Sequence, residues 1–197
     1  MLELLIFAAL AGVVLVQLYR VLGTRVGRQP EEAGKSSLRR PDAATPLTKP
    51  TEADAGLAAV RSRDAAFDPA IFLAGAREAY VRTVRAFAAG DRETLRGLTS
   101  PVVYASFEAA VAAREVAGRT EAVEFLLPPR ADLEESGVAG DVLRAKVRFL
   151  AEVRTRSKDA AGEAVDDRRT AELWSFERRA GSRDPNWTLT RVEAAQD

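Results

Sequence analysis

The sequence predicts an α+β domain, in which N-terminal helices pack on a curved antiparallel sheet, preceded by one transmembrane helix and a disordered linker. Three observations support this fold class. An almost unbroken apolar run opens the chain of 197 residues. Between residues 68 and 118 apolar residues recur at helical spacing, and the remainder shows the alternation typical of strands. Helices followed by consecutive strands are the pattern of an α+β domain.

The composition narrows the range of functions. The chain carries 29 basic and 29 acidic residues, and it has no histidine and no cysteine. The balanced charge argues against nucleic-acid binding, because proteins of that class show a strongly basic surface. Histidine is the commonest general base and metal ligand, and cysteine is the only thiol. We therefore expect no enzyme activity, no catalytic residues, no metal and no cofactor.

The apolar run predicts a transmembrane anchor over residues 1–22. Residues 4–18 contain one polar side chain, Gln17, and a helix needs about 20 residues to cross the hydrocarbon core. Tyr19 suits the headgroup level, and Arg20 can extend its side chain toward it. The residues that we expect in the bilayer are Leu4, Leu5, Ile6, Phe7, Val13, Val14, Leu15, Val16, Leu18 and Tyr19.

A cleaved signal peptide is the alternative interpretation of this run. Signal peptides carry positive charge before the apolar stretch, whereas here Arg20, Arg25 and Arg28 follow it. Basic residues close to a membrane span remain in the cytoplasm. The charges therefore predict a single-pass membrane protein with its N-terminus outside and its C-terminal domain in the cytoplasm, in contact with membrane lipids.

Residues 23–64 have the composition of a disordered linker. Pro30, Pro41, Pro46 and Pro50 interrupt any regular element. Large apolar residues are scarce, so the segment cannot bury enough surface to offset the entropy of ordering it. A short helical turn between residues 53 and 60 is the one local exception. The folded domain is accordingly expected over residues 65–197.

Capping signals predict three helices in this domain. Asp68-Pro69 and Ser100-Pro101 each combine an N-cap side chain with proline at the first helical position. Asp91 caps a shorter helix between them. The first helix has an apolar stripe for packing on the sheet, formed by Phe72, Ala76, Ala79, Tyr80, Val84 and Phe87.

Alternating apolar and polar residues predict the strands. They extend over residues 123–133, with an interruption at Pro128-Pro129, and over residues 142–154, 168–178 and 187–193. The polar stretch 157–167 predicts a hairpin loop. The segment 183–187, RDPNW, is either a partner-recognition loop or ordinary turn chemistry around a proline.

Two groups of side chains are candidate binding sites. Arg144, Lys146 and Arg148 share one strand face and form a candidate basic face for acidic lipid headgroups or an acidic partner. The alternative is a solvated face paired with carboxylates on neighbouring strands. The second group is a candidate apolar pocket or, alternatively, ordinary core. Its members are Phe72, Val84, Phe107, Val147, Phe149, Trp174, Phe176 and Trp187.

Several stretches together resemble a known family. From Phe67 onward the chain contains FDPAIFLAGAREAYVRTVRAFAAGDRETLRGLTSPVVYASFEAAVAARE, VRFLAEVR, ELWSFERR and SRDPNW. These are similar to the Tim44-like domain, and the anchor and linker resemble the bacterial Tim44/TimA adaptor proteins.

The resemblance implies a cone of the cystatin or NTF2-like kind. It also implies a non-enzymatic adaptor at the inner membrane, which docks protein partners such as translocation or membrane-protein biogenesis factors, or lipid. An NTF2-like domain that binds lipid or a small ligand in an apolar pocket is the alternative function.

Overall fold

The computed structural model describes residues 52–195, which form four helices and a five-stranded antiparallel sheet. This arrangement confirms the predicted α+β class. The predicted transmembrane helix and most of the predicted linker lie outside the described residues. The helices are α1 (Glu52–Arg63), α2 (Pro69–Ala89), α3 (Arg92–Leu98) and α4 (Pro101–Val116). The strands are β1 (Thr120–Phe125), β2 (Arg130–Ala139), β3 (Val142–Asp159), β4 (Gly162–Arg179) and β5 (Thr188–Ala194).

The three predicted helix starts are present, and the capping side chains explain them. The Asp68 carboxylate accepts hydrogen bonds from the N–H groups of Ala70, at 2.7 Å, and of Ile71, at 3.2 Å. Asp91 and Ser100 cap α3 and α4 in the same way. Each cap satisfies N–H groups that the first helical turn leaves without partners.

Strand β3 is the centre of the sheet. On one side it pairs with β4 along its whole length, and β5 pairs in turn with residues 172–177 of β4. On its other side β1 and β2 lie end to end, β1 beside residues 153–158 and β2 beside residues 142–150. One face of this sheet, here called the inner face, carries the helices, and the other is the outer face.

The predicted hairpin loop over 157–167 is wrong. Strand β3 continues to Asp159 and β4 begins at Gly162, so only two residues form the turn. Gly162 has a φ of 136°, and Asp159 accepts the N–H of Ala161 at 2.8 Å. Both faces of this ribbon lie in water, so the backbone ladder forms without the apolar alternation from which strands are predicted.

Helix α1 occupies residues that we predicted to be linker. Its Val60 is fully buried, and Leu57 packs against the core. Gly56 approaches β2 so closely that a Cβ there would collide with the carbonyl oxygen of Ser136. The folded domain therefore starts before residue 65, because a few well-placed apolar residues and one glycine bind a weakly apolar helix to the sheet.

The core lies between α2 and the inner face. Tyr80 of α2 stacks on Phe149 of β3, with ring centroids 4.4 Å apart and planes 9° from parallel. Trp174 of β4 packs against both rings. The alternate residues of β3 form the floor of this core, and all are buried: Leu143, Ala145, Val147, Phe149, Ala151 and Val153.

Candidate binding cleft

A cleft with a volume of about 790 Å³ opens where the first half of α2, helix α3 and the β4–β5 connection meet. Apolar and charged side chains share its lining. The large apolar residues that line it are Phe67, Ile71, Phe72, Leu98, Phe176 and Trp187. The charged residues that line it are Asp64, Asp68, Glu78, Arg82, Glu93 and Arg178.

Three aromatic rings form one apolar wall of the cleft. The ring centroids of Phe67 and Phe72 are 5.6 Å apart, and Trp187 lies 5.7 Å from the first and 4.8 Å from the second. Phe67 precedes the N-cap Asp68 and Phe72 is the fourth helical residue, so the two rings form a hydrophobic staple across the start of α2. The cap and the staple together fix this wall.

Beside this wall, Ile71 is 73% exposed. It lies on the first turn of α2 and faces the open cleft. Small residues keep the cleft open beyond it, since a Cβ at Gly75 of α2 or at Gly97 of α3 would meet no other atom within 4 Å. Ile71 and the aromatic wall line the same cleft, and apolar residues grouped in this way at a surface mark interaction sites.

Arg178 closes one end of the cleft. It forms an ion pair with Asp64, its guanidinium lies 5.2 Å from the Trp187 ring centroid, and it contacts the carbonyl oxygen of Pro185 at 3.5 Å. Among the described residues its buried Nε has no hydrogen-bond partner. A buried donor of this kind is costly unless another group supplies an acceptor.

The rim of the cleft is acidic. Four carboxylates and two guanidinium groups line it, and the Asp64–Arg178 pair neutralises one of each. Asp68, Glu78 and Glu93 then face Arg82 alone, which leaves two negative charges in excess. A partner with an apolar centre and basic flanks would match this pattern.

A family model described as the Tim44-like domain matches residues 53–194, most of the chain. The protein belongs to the Tim44-like domain family. No curated protein matches its sequence.

Three solved structures align with this Tim44-like chain at low identity. The intermembrane-space region of the chloroplast protein ARC6 is 15% identical, with a TM-score of 0.49, over 64% of this chain and 97% of that one. A conserved protein from Planctomyces limnophilus is 19% identical, with a TM-score of 0.36, over 60% and 94%. A designed β-sheet protein is 14% identical, with a TM-score of 0.30, over 65% and 90%.

The residues of the candidate pocket divide between the core of the Tim44-like domain and the cleft. Val147, Phe149 and Trp174 lie in the closed core, and Val84 and Phe107 pack against it, partly buried. Phe72, Phe176 and Trp187 also reach the cleft. The structure therefore separates residues that the sequence grouped together, because alternation places a side chain on the inner face without showing where that face opens.

Four residues that shape the cleft were missed by the sequence analysis. Ile71 lies off the apolar stripe of α2, Asp64 was assigned to the linker, and Arg178 and Glu93 looked like ordinary surface charges. An isoleucine on the polar side of an otherwise regular stripe was the one signal available in the sequence. The segment 183–187 lies partly at the cleft, and Asp184 accepts the N–H of Asn186 at 2.9 Å in a tight turn.

A second residue group missed by the sequence analysis surrounds the hydroxyl of Tyr80. This oxygen lies 3.3 Å from Thr170 Oγ1, at hydrogen-bond distance. Nearby, Trp174 Nε1 donates to Glu172 at 3.0 Å. Burial, and then the Glu172 carboxylate, raise the pKa of Tyr80 to about 12. This hydroxyl is therefore a neutral structural group rather than an acid or base at ordinary pH.

The cations of the candidate basic face lie on the outer face, each beside a carboxylate. Arg144 pairs with Glu177 at 2.9 Å. Lys146 and Arg148 pair with the β2 residues Glu135, at 3.0 Å, and Glu134, at 2.5 Å. Within the described structure this face is an ion-paired lattice, which reduces the net field available to an acidic ligand.

The described residues contain neither a cluster of metal ligands nor a membrane-spanning helix. No three of their acidic side chains converge in a way that would hold a metal ion. No helix within residues 52–195 is long and apolar enough to cross a membrane. The ten predicted anchor residues, Leu4 to Tyr19, lie outside the described part of the chain.

Proposed function

We propose that this Tim44-like protein is a non-enzymatic, membrane-anchored adaptor whose cleft receives an apolar segment of a partner protein. The observation that carries the proposal is Ile71, exposed beside the aromatic wall of an open cleft. Membership of the Tim44-like family supports a general adaptor or membrane-associated role. Translocation or membrane-protein biogenesis factors are the partners that the family suggests.

The chemistry of the cleft restricts the partner further. The acidic rim favours basic residues on either side of the apolar segment. The charged residues at the cleft also distinguish a protein segment from a hydrocarbon chain. A peptide can present basic side chains to Glu78 and Glu93, which an acyl chain cannot do.

The absence of enzyme activity is part of the proposal. The sequence contains neither histidine nor cysteine, so a catalytic site would depend on carboxylate, hydroxyl or amine groups alone. Of the charged residues at the cleft, Asp64 and Arg178 neutralise each other, and Asp68 accepts the N–H groups that begin α2. These groups stabilise the domain, and their arrangement supports binding.

The proposed location is the bacterial inner membrane. Residues 1–22 would span the bilayer with the N-terminus outside, and residues 23–51 would tether the domain in the cytoplasm. A tether of about 30 residues has a root-mean-square reach of roughly 30 Å if it is flexible. The domain would then meet membrane partners at high effective concentration.

A small-ligand domain is the second candidate function. The cleft volume of about 790 Å³ falls in the range of roughly 300–1,000 Å³ that small-molecule sites occupy. A cone of the cystatin or NTF2-like kind would open at such a cleft. Native mass spectrometry of the purified full-length protein decides this point: a stoichiometric co-purifying lipid or metabolite favours the second function over the first.

Site-specific photocrosslinking tests the adaptor proposal. A photoreactive amino acid replaces Ile71 in the full-length protein in cells, and Val116 receives the same replacement as a control. Val116 is 90% exposed and lies on α4, away from the cleft. We expect a discrete crosslinked protein from position 71 and none from position 116, and we expect Glu93→Lys to weaken the crosslink. Equal crosslinking at both positions, or none at position 71, contradicts the proposal.

A further inference from the structure

The first half of β4 is an open edge of the sheet. Strand β5 pairs only with residues 172–177 of β4. Within the described residues no strand lies beside residues 162–170 on that side, and residues 162–169 are all exposed. We call residues 162–170 the open edge.

The backbone of the open edge presents hydrogen-bonding groups to the solvent. The carbonyl oxygen of Ala171 accepts the N–H of Ala195 at 2.9 Å, so the N–H and C=O groups of Ala171 point away from β3. Alternate residues of an antiparallel strand point these groups to the same side. The other outward-pointing residues are therefore Glu163, Val165, Asp167 and Arg169. A row of such groups is a template for pairing with another strand.

The charges of the open edge are ordered along the strand. Its sequence, GEAVDDRRT, places its acidic residues before its basic ones. Charges on an edge strand usually oppose pairing with other chains. An antiparallel copy of this segment, however, brings its basic end beside the acidic end of the first copy, and opposite charges across a strand pair are favourable. The open edge is therefore complementary to itself.

We propose that two copies of this chain associate by antiparallel pairing of their open edges, with Asp166 on the two-fold axis. In this register residues 162–170 of both copies pair in full, and Glu163 of each copy lies opposite Arg169 of the other. An axis further along β4 would drive the second copy against Ala195, which already occupies the next position of the edge. The two sheets then form one continuous sheet.

The proposed register gives the exposed apolar residue of this edge a partner. Val165 is 62% exposed, and it becomes a diagonal neighbour of Val165 of the second copy, within reach across a strand pair. Asp166 faces its own copy across the axis, and Arg168 of the second copy lies diagonal to it. Because these charges are exposed to water, the association should be weak and reversible.

This association goes beyond the proposed adaptor function and does not depend on it. Phe176 and Arg178, which line the candidate cleft, lie in the other half of β4. Pairing of the open edges would therefore leave the clefts of both copies accessible, and one assembly could hold two partner segments.

Charge reversal tests pairing between copies. In the full-length protein in detergent, Glu163→Arg and Arg169→Glu should each raise the dimer dissociation constant by about tenfold, because each places like charges opposite one another twice. Analytical ultracentrifugation measures the constant. An equimolar mixture of the two variants should recover association, since each reversed charge then faces the opposite sign in the other variant.

The mixture separates this effect from changes within one chain. Glu163 also pairs with Lys158 of its own chain, and Arg169 with Glu152, and mixing does not restore these pairs. A mixture that associates no better than the single variants overturns the proposal, and so does a natural chain that remains monomeric.

A cysteine on the axis tests the register, since the natural chain has no cysteine. Asp166→Cys places two thiols on directly opposed residues, with Cα atoms about 4.5 Å apart, within the span of a disulfide. Arg168→Cys is the matched control, because its own copy lies four residues further along the strand, about 13 Å away. Val116→Cys on α4 reports random collisions.

Mild oxidation of membranes that contain each full-length variant, followed by non-reducing electrophoresis, gives the result. We expect a disulfide-linked dimer from position 166, and only background from positions 168 and 116. Equal linkage at all three positions, or none at position 166, overturns the proposed pairing.

Proline tests the backbone part of the contact. Val165→Pro removes one outward N–H from each copy, and proline is tolerated where the N–H of an edge strand faces solvent. We expect the dimer dissociation constant to rise by at least about tenfold, with an unchanged far-UV circular dichroism spectrum. Val165→Thr keeps the N–H and the β-branched shape and should associate almost normally. Unchanged association of the proline variant overturns the proposal.

Discussion

The inner and outer faces of the same sheet use different interactions along the same strand. On β3 the inner residues Val147 and Phe149 are fully buried. Their chain neighbours Lys146 and Arg148 lie on the outer face in ion pairs that remain partly exposed to water. Within one strand, the sheet face on which a side chain lies therefore decides whether it contributes to stability mainly by burial or by charge pairing.

The two kinds of interaction differ in size. Burial of a large apolar side chain contributes about 1.5–3 kcal/mol, and aromatic packing adds to it. An exposed ion pair contributes about 0–1 kcal/mol, because water already solvates both charges. The domain therefore depends mainly on the inner face for stability. The ion pairs of the outer face keep that face hydrated.

Phe149→Ala should have the largest effect. The substitution removes the ring that stacks on Tyr80 and contacts Trp174 and Phe176. We expect the free energy of unfolding to fall by about 3–5 kcal/mol, measured by urea denaturation. Leu150→Ala changes the next side chain, on the outer face, and serves as the control. If the two variants lose similar stability, the distinction between the faces is wrong.

The buried hydroxyl of Tyr80 predicts an intermediate effect that depends on pH. Below pH 10 the phenol is protonated in the folded and unfolded states alike. The ordinary pKa is 10.0 and the folded-state pKa is about 12, so between these values the unfolded chain releases the proton first. The free energy of unfolding should then fall by about 1.4 kcal/mol per pH unit.

Denaturation curves between pH 9 and pH 12 measure this slope, and Tyr80→Phe supplies the comparison. The variant lacks the ionisable group, so its stability should fall less steeply over the same range. Because Phe keeps the ring that stacks on Phe149, the fold should be retained. Parallel pH curves for the two proteins would show that Tyr80 titrates normally in the fold.

Arg148→Gln should have the smallest effect. It removes the ion pair with Glu134 on the outer face, where both side chains are about one-third exposed. We expect a loss of less than about 1 kcal/mol in the free energy of unfolding, and a smaller loss at high salt. A loss as large as that of Phe149→Ala would mean that the outer lattice is a principal source of stability.

The fold was predictable wherever local chemistry decides it. Asp68-Pro69 and Ser100-Pro101 marked helix starts because cap and proline effects act within one turn. For helix α1 the sequence predicted only a short helical turn over residues 53–60 within a linker, because its twelve residues have weak helix signals of their own. It is stabilised by contacts of Val60 and Gly56 with distant strands, and such contacts are not visible in a local pattern.

The candidate cleft was predictable only in part. Phe72, Phe176 and Trp187 were recognised as inward-facing, and all three reach the cleft. Ile71 and Asp64 were not singled out, because neither the apolar stripe of α2 nor the predicted linker boundary pointed to them. Their role depends on where α3 and the β4–β5 connection leave a gap.

By itself the sequence determined the α+β class, three helix starts and the alternation of β3, since these follow from interactions between residues close in the chain. It also determined the absence of histidine and cysteine, and so the range of chemistry open to the protein. Only the tertiary structure decided that the outer cations are paired, that the hairpin is long, and that the cleft exists. Each of these depends on residues brought together from different elements, and a local sequence pattern does not show which distant residues will meet.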